Sequence, residues 1–335
     1  MTRKHTIEGV ELTLAVEDSL PLRWIGSREV LEQLLASWLV IGEGDVPLNP
    51  RVVGKPGVGK TTLGYSVARQ LGRPVFIVQC TMDTRPEDLL VTPVLNAEGR
   101  VAYHASGLVT AMIVGGVCIL DEANRMGEKS WASLAPLLDA RRYVESIVAG
   151  IKIPAAPDFR ICVTMNEDTS TYDVPEYIQS RLKPIIEVGF PSRQEELEIL
   201  HFAVPLAPDS LLEYVTDFLQ KAHRRNLPFT SRDGVHIVRY ALKMGRLKEG
   251  APEGFLLEAV EAILGEEGLE FVESGGTDQR VKGAVREVSP EEEMRRFLEG
   301  LGAELTEEDQ EDDEVFEDGL AGDDDDDEED GKPPY

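Results

Sequence analysis

The chain has 335 residues, of which 42% are hydrophobic, and a net charge of −28 at pH 7, room for one large or two ordinary domains and a tail. Residues 304–335 carry 18 acidic residues and one lysine, a net of −17, and the rest of the chain stands at −11. An acidic body argues against a broad interface with DNA or RNA, so nucleic acid is not an expected partner, and no apolar run approaches the ~18 residues of a membrane-spanning helix.

Residues 1–20 read as a short strand or hairpin, without the apolar block of a secretory signal. Ser27 to Val40 reads as a helix, with Ser27 as its cap and Val30, Leu31, Leu34, Leu35, Trp38 and Leu39 on one stripe. Val52 and Val53 end an apolar strand. Gly54-Lys55-Pro56-Gly57-Val58-Gly59-Lys60-Thr61 then matches Gly-x-x-x-x-Gly-Lys-Ser/Thr in full, and a helix follows to Leu71 through Thr62, Leu63, Val67 and Ala68. The glycines let successive N–H groups curl around phosphates. Lys60 offers a charge to the β- and γ-phosphates of ATP, Thr61 a hydroxyl to Mg²⁺, and the helix its positive end.

Val75 to Cys80 reads as a strand, and Val101 to His104 as part of a hairpin turning at residues 96–99. Val117 to Leu120 suits a strand buried on both faces of a parallel sheet, and it ends in Asp121 and Glu122. Two carboxylates are costly in a core and sensible at the mouth of an α/β sheet. Asp121 is the candidate Mg²⁺ ligand, and Glu122 the candidate general base for the attacking water. Glu128 to Ala140 reads as a helix and Arg142 to Ile153 as a hairpin turning at Ala149-Gly150. Phe159 to Met165 is a further strand, and Asn166 at its end is placed to orient the water. Arg181 precedes another strand-like run, Ile185 to Phe190, and is the candidate arginine finger.

From Ser192 the pattern is helical: Glu195 to Val204, Leu211 to Asn226, Arg232 to Met244 and Glu253 to Leu264. Pro290 to Leu301 follows as a possible helix, started by Ser289-Pro290. The acidic tail cannot bury apolar surface and is expected to be disordered. Cys80, Cys118 and Cys162 each fall in an expected buried strand, at no disulfide or zinc spacing, which fits a reducing cytoplasm.

The order of these parts resembles an AAA+ ATPase, and the local wording is similar to the MoxR family, in particular its CbbQ/NorQ-like members. Trp24-Ile25-Gly26-Ser27-Arg28-Glu29 is similar to the Val-Gly-x-x-Glu segment that borders the adenine there, which gives Ile25 and Gly26 a part in the nucleotide site. Arg85-Pro86-Glu87-Asp88-Leu89-Leu90 is similar to its Asp-Leu-Leu-Gly segment, with Val91 in place of the glycine. Asp121-Glu122-Ala123-Asn124-Arg125 is close to Asp-Glu-Ile-Asn-Arg, and Leu137 to Val144 parallels the helix end and hairpin that follow. Thr164-Met165-Asn166 matches the sensor asparagine. The family has Asp-Arg-Phe at its finger where this chain has Ser180-Arg181-Leu182, so the arginine is kept and its orienting acid is not. The resemblance also implies an arginine at the start of a lid helix, for which Arg232 is the candidate.

The fold expected is α/β, a parallel sheet of the AAA+ type between helices over residues 1–191, then an all-α lid over 192–273, a linker over 274–303 and the acidic tail over 304–335. The resemblance implies Mg²⁺-dependent ATP hydrolysis by a homo-oligomeric ring, a hexamer, in the cytoplasm, which remodels or activates a partner protein. It also implies a von Willebrand factor A domain protein as co-factor and a metalloenzyme as client. A nucleic-acid motor or clamp loader of the same superfamily is the alternative, disfavoured by the acidic body. A module that senses nucleotide without turnover is disfavoured by the intact set Lys60, Asp121, Glu122 and Asn166.

Overall fold

The apolar runs read from the sequence become the strands of one sheet, and their charged ends gather at its C-terminal edge. The computed structural model describes residues 3–96, 98–166 and 174–276. The expected helix over 290–301 and the acidic tail lie outside the described residues. In chain order the first elements are β1 (Lys4–Ile7), β2 (Val10–Thr13), α1 (Arg28–Trp38), β3 (Arg51–Gly54), α2 (Lys60–Gln70), β4 (Val75–Gln79) and α3 (Pro86–Leu89). Then come β5 (Val91–Leu95), β6 (Val101–Ala105), α4 (Gly107–Val114), β7 (Val117–Asp121), α5 (Glu128–Leu134), β8 (Tyr143–Ser146) and β9 (Ile151–Pro154). The α/β part ends with β10 (Arg160–Asn166), α6 (Glu176–Gln179) and β11 (Ile185–Glu187).

Five strands pair in parallel in the order β11-β3-β10-β7-β4. Side chains alternate between faces. Val117 and Ile119 of β7 join Leu34 and Trp38 of α1 and Leu63 and Val67 of α2 in one core. Cys118 and Leu120 point the other way, into a core with Leu108 and Met112 of α4 and Trp131 of α5. Trp38 Nε1 donates to Ile161 O at 3.0 Å, and the buried Arg160 returns Nε to Trp38 O at 2.7 Å, which fixes α1 against β10. The thiols of Cys80, Cys118 and Cys162 are all buried. Burial pushes Cys80 up to about 12 and raises the other two as well.

Several boundaries differ from the sequence reading. Helix α5 stops at Leu134 rather than running to Ala140, because Pro136 lacks the N–H a further turn needs. Strand β11 covers three residues instead of the expected run to Phe190. The N-terminal hairpin pairs β2 in parallel with β6, so β1-β2-β6-β5 forms a second sheet. Nothing in the local pattern of either segment announces that long-range pairing.

Among the described residues, all elements after Pro191 are helical, chiefly α7 (Arg193–Ala203), α8 (Asp209–Arg224), α9 (Ser231–Leu247) and α10 (Leu256–Phe271). They share a core built on Leu200, Leu211, Leu212, Val215, Phe218, Ile237, Val238 and Leu256. Helix α10 passes its expected end at Leu264 through a break at Gly265, whose φ of +67° glycine tolerates. Among the described residues no helix is long and apolar enough to cross a membrane.

One carboxylate lies inside this helical layer. Glu196 is 0% exposed. It accepts from Gln220 Nε2 at 2.7 Å and Ser231 Oγ at 2.8 Å, and His223 Nδ1 stands 3.6 Å away. His223 donates Nε2–H to Phe229 O at 2.9 Å and stacks on Phe190 at 3.8 Å. Burial raises the Glu196 carboxyl from the ordinary 4.5 to about 7, so the folded chain holds a proton there that the unfolded chain releases. Stability from this group is therefore full below about 4.5 and is lost as pH rises through 7. Burial lowers His223 below its ordinary 6.5, which gives the opposite slope on the acid side, so a comparison of variants is needed to isolate the carboxyl. Glu196→Gln is expected to match or exceed the parent above pH 7, by at most about 3 kcal/mol, and to lose the advantage towards pH 4.5. Urea unfolding across that pH series checks this, and a constant difference between the two proteins would refute the assignment.

Candidate nucleotide site

Strand β3 runs out at Gly54, which lies in register with Asn166 at the end of β10. The turn that follows needs left-handed backbone, with φ of +81° at Gly57 and +95° at Gly59. A Cβ on Gly57 would also lie 2.7 Å from Thr230 Oγ1, so the loop touches the residue that caps α9. Lys60 opens α2 and is only 6% exposed. Its ammonium donates to Gly54 O at 2.9 Å, Lys55 O at 2.8 Å and Asn166 Oδ1 at 2.7 Å. The neighbouring Lys55 turns away to Asn226 Oδ1 at 2.6 Å and over the Phe190 ring at 4.8 Å.

The carboxylates at the end of β7 stand beside this loop. Asp121 Oδ1 accepts from Thr61 Oγ1 at 2.5 Å and from Thr164 Oγ1 at 2.6 Å. Glu122 has the left-handed φ of +53° and donates its N–H to Thr164 Oγ1 at 3.0 Å. Its Oε1 accepts from Asn166 Nδ2 at 3.3 Å, and its Oε2 lies 2.7 Å from Arg125 Nε. Asn124 Nδ2 donates to Asn166 O at 3.0 Å. Lys60, Thr61, Asp121, Glu122 and Asn166 are thus brought together.

The remaining sequence candidates fall around that centre. The Trp24 ring packs on Gly26 and comes within 3.3 Å of a Cβ built at Gly59, which sets the segment with Ile25 beside the loop. Trp24 N donates to Ser66 Oγ of α2 at 2.7 Å. Val58 packs into the core under the loop, Pro56 is exposed, and Thr62 follows Thr61 in the first turn of α2. Arg232 lies exposed in the first turn of α9, next to the residues that meet Gly57 and Glu196. Arg181 is not at this centre. Its Nε lies 3.4 Å from Asp139 Oδ2 and its Nη1 donates to Tyr177 O.

The donor set fits a nucleotide with a hard cation. The glycine-bounded loop, the ammonium inside it and the helix end behind it suit an anion, and the adjacent oxygens of Thr61 and Asp121 are of the kind Mg²⁺ takes. Among the described residues no group of three or more His, Cys, Asp or Glu could hold a metal unaided. A cation here would lean on phosphate oxygens, as Mg²⁺ does. The sequence reading quotes Thr164, Asn124 and Arg125 within its family-like segments but gives none of them a role in the site. For Thr164 a signal existed, since residues two apart in a strand share a face, and Asn166 had already been singled out.

Comparison with known proteins agrees with this geometry. Residues 51–182 match the AAA domain of the dynein-related subfamily. The chain is 28% identical over 179 residues to the chaperone MoxR1 of Mycobacterium tuberculosis, across 53% of this chain and 44% of MoxR1. It is 31% identical over 156 residues to NorQ of Paracoccus denitrificans, across 44% of this chain and 54% of NorQ. The chain thus spans about half the length of the curated relatives it matches. RuvB of Thermotoga maritima, a Holliday junction branch migration motor, superposes with a TM-score of 0.50 over 83% of both chains at 16% identity, a likeness of fold alone. The phosphate loop and the Asp121–Glu122 strand end thus lie within an AAA domain, and the chain around them is similar to MoxR-like AAA+ ATPases.

Proposed function

We propose that this chain hydrolyses ATP with Mg²⁺ in a homo-oligomeric ring, a hexamer, and uses the cycle to remodel or activate a partner protein in the cytoplasm. One observation carries the reading: Lys60, Thr61, Asp121, Glu122 and Asn166 converge at one sheet edge, linked at 2.5–3.3 Å. In this reading Lys60 and the loop N–H groups bind the phosphates, and Ile25 and Gly26 border the base. Thr61 and Asp121 would hold Mg²⁺, whose charge offsets that of the phosphates. Glu122 takes the proton of the attacking water, and Asn166 orients that water. Arg232, in the first turn of α9, reads the nucleotide from the lid. The division into a nucleotide-binding domain over 1–191 and a lid over 192–273 belongs to the same proposal, with the loop at their junction.

Arg181 acts in trans in this reading, and the sheet supports that. Strand β11 begins beside Arg51, the first residue of β3, and Arg51 N donates to Pro184 O at 2.9 Å. Arg181 therefore lies by the N-terminal edge of the sheet, and the phosphate loop leaves the opposite edge. Strands rise about 3.3 Å per residue, so the length of β3 lies between Arg181 and its own loop. The resemblance to MoxR proteins points to a von Willebrand factor A domain protein as co-factor and a metalloenzyme as client. A nucleic-acid motor is the weaker reading, because the likeness to RuvB concerns the fold and the body outside the tail carries a net charge of −11.

Lys60→Ala is expected to lose ATP binding, and Glu122→Gln to keep binding while turnover falls by about 10²–10⁴-fold. Equilibrium nucleotide binding and steady-state phosphate release check both, and parental turnover in Glu122→Gln would end its assignment as base. Chelating Mg²⁺ is expected to stop turnover in the parent, and re-addition to restore it. Arg181→Ala is expected to bind ATP normally and lose about 10³–10⁵ in rate. Adding Glu122→Gln subunits, which retain Arg181, should restore hydrolysis in mixed assemblies, and absence of rescue in assemblies of confirmed composition would contradict the trans role.

A further inference from the structure

Residues 180–182 lack the acid expected beside Arg181, yet the fold brings one from another segment. Asp139 Oδ2 lies 3.4 Å from Arg181 Nε. The same carboxylate accepts Arg141 Nε at 3.0 Å and Nη2 at 2.9 Å, a bidentate pair, and Arg141 N at 3.0 Å. Asn49 ties the two segments together, donating Nδ2 to Leu138 O at 2.9 Å and to Arg181 O at 3.4 Å. The two guanidiniums hold the Asp139 carboxyl well below the usual carboxylate range.

The acid is the recessed member. Side-chain exposure is 23% for Asp139, 29% for Arg181 and 52% for Arg141. Two cations on one anion leave a net positive spot on an otherwise acidic body. A guanidinium carries five N–H donors, and Asp139 accepts from only two side-chain nitrogens of Arg141 and one of Arg181. The cluster stands at the sheet edge remote from its own phosphate loop, so an anion it binds belongs to another molecule.

We propose that Asp139 positions Arg181 and Arg141 as one two-arginine anion site, which receives the terminal phosphates of a nucleoside triphosphate held by a second copy of this chain. The proposal rests on the trans reading of Arg181 and adds to it the orienting acid and a second cation. Asp139 is a positioning residue, because its carboxylate touches the arginines and not the phosphates.

The test uses the full chain with ATP and Mg²⁺. Asp139→Asn keeps the shape and removes the charge. Its kcat is expected to fall about 10- to 100-fold, as misplaced catalytic groups do, with ATP affinity and melting temperature within error of the parent. Arg141→Gln is expected to lower kcat at unchanged KM, and it serves alone where Asp139→Asn fails to fold. The double variant Asp139→Asn/Arg181→Ala is expected to lose less than the product of the two single losses, because Asp139 acts partly through Arg181. Adding Glu122→Gln subunits, which retain all three residues, is expected to restore hydrolysis to Asp139→Asn. Parental kcat in Asp139→Asn or Arg141→Gln, or losses that multiply in the double variant, would overturn the inference while leaving Arg181 as a finger. Failure of rescue for Arg181→Ala and Asp139→Asn alike would overturn both the inference and the trans reading beneath it.

Discussion

A single ammonium, nearly withdrawn from water, sets the shape of the nucleotide edge. A buried cation must have its N–H groups satisfied, and Lys60 finds oxygens on Gly54, Lys55 and Asn166. Those bonds hold the loop curled and fix the Asn166 amide, which in turn reaches Glu122. The Thr61 hydroxyl ties the same helix end to Asp121 on the neighbouring strand. Apolar side chains pack on both faces of the middle of the sheet, so charge collects mainly at its edges. The edge is polar because the middle cannot be.

The same loop is joined to the helical layer by short contacts. Lys55 bonds Asn226, Gly57 abuts Thr230, and Phe190 lies between Lys55 and the His223 ring. His223 and Ser231 both face Glu196, and Ser231 is the residue before Arg232. A displacement of the loop is therefore felt in the first turn of α9 through packed groups rather than across solvent. This is a continuous physical connection between two elements, which is what coupling between them requires.

Much of the site was legible in the sequence because its parts are local. The loop from Gly54 to Thr61 is one contiguous segment whose geometry follows from glycine spacing, and Asp121, Glu122 and Asn166 each sit at the end of a recognisable apolar run. The helices after Pro191 were legible from their 3.6-residue periodicity. What escaped was set by pairing at long range. The joining of β2 to β6, the reach of Asp139 to Arg181 and the convergence of Gln220 and Ser231 on Glu196 connect residues tens of positions apart. Periodicity carries no trace of such partners, so the residues flanking Arg181 show no acid while the fold sets Asp139 beside it.

The three cysteines have a chemical consequence. Only a thiolate attacks an alkylating reagent or enters disulfide exchange, and burial holds Cys80, Cys118 and Cys162 as neutral thiols well above neutral pH. They are the only cysteines of the chain, and all three are out of solvent. The folded protein is therefore inert to maleimides as it stands. One cysteine introduced at an exposed point such as Ile147, at the tip of the β8–β9 hairpin, becomes a single address for a fluorophore or cross-linker, with no native thiol to be removed first.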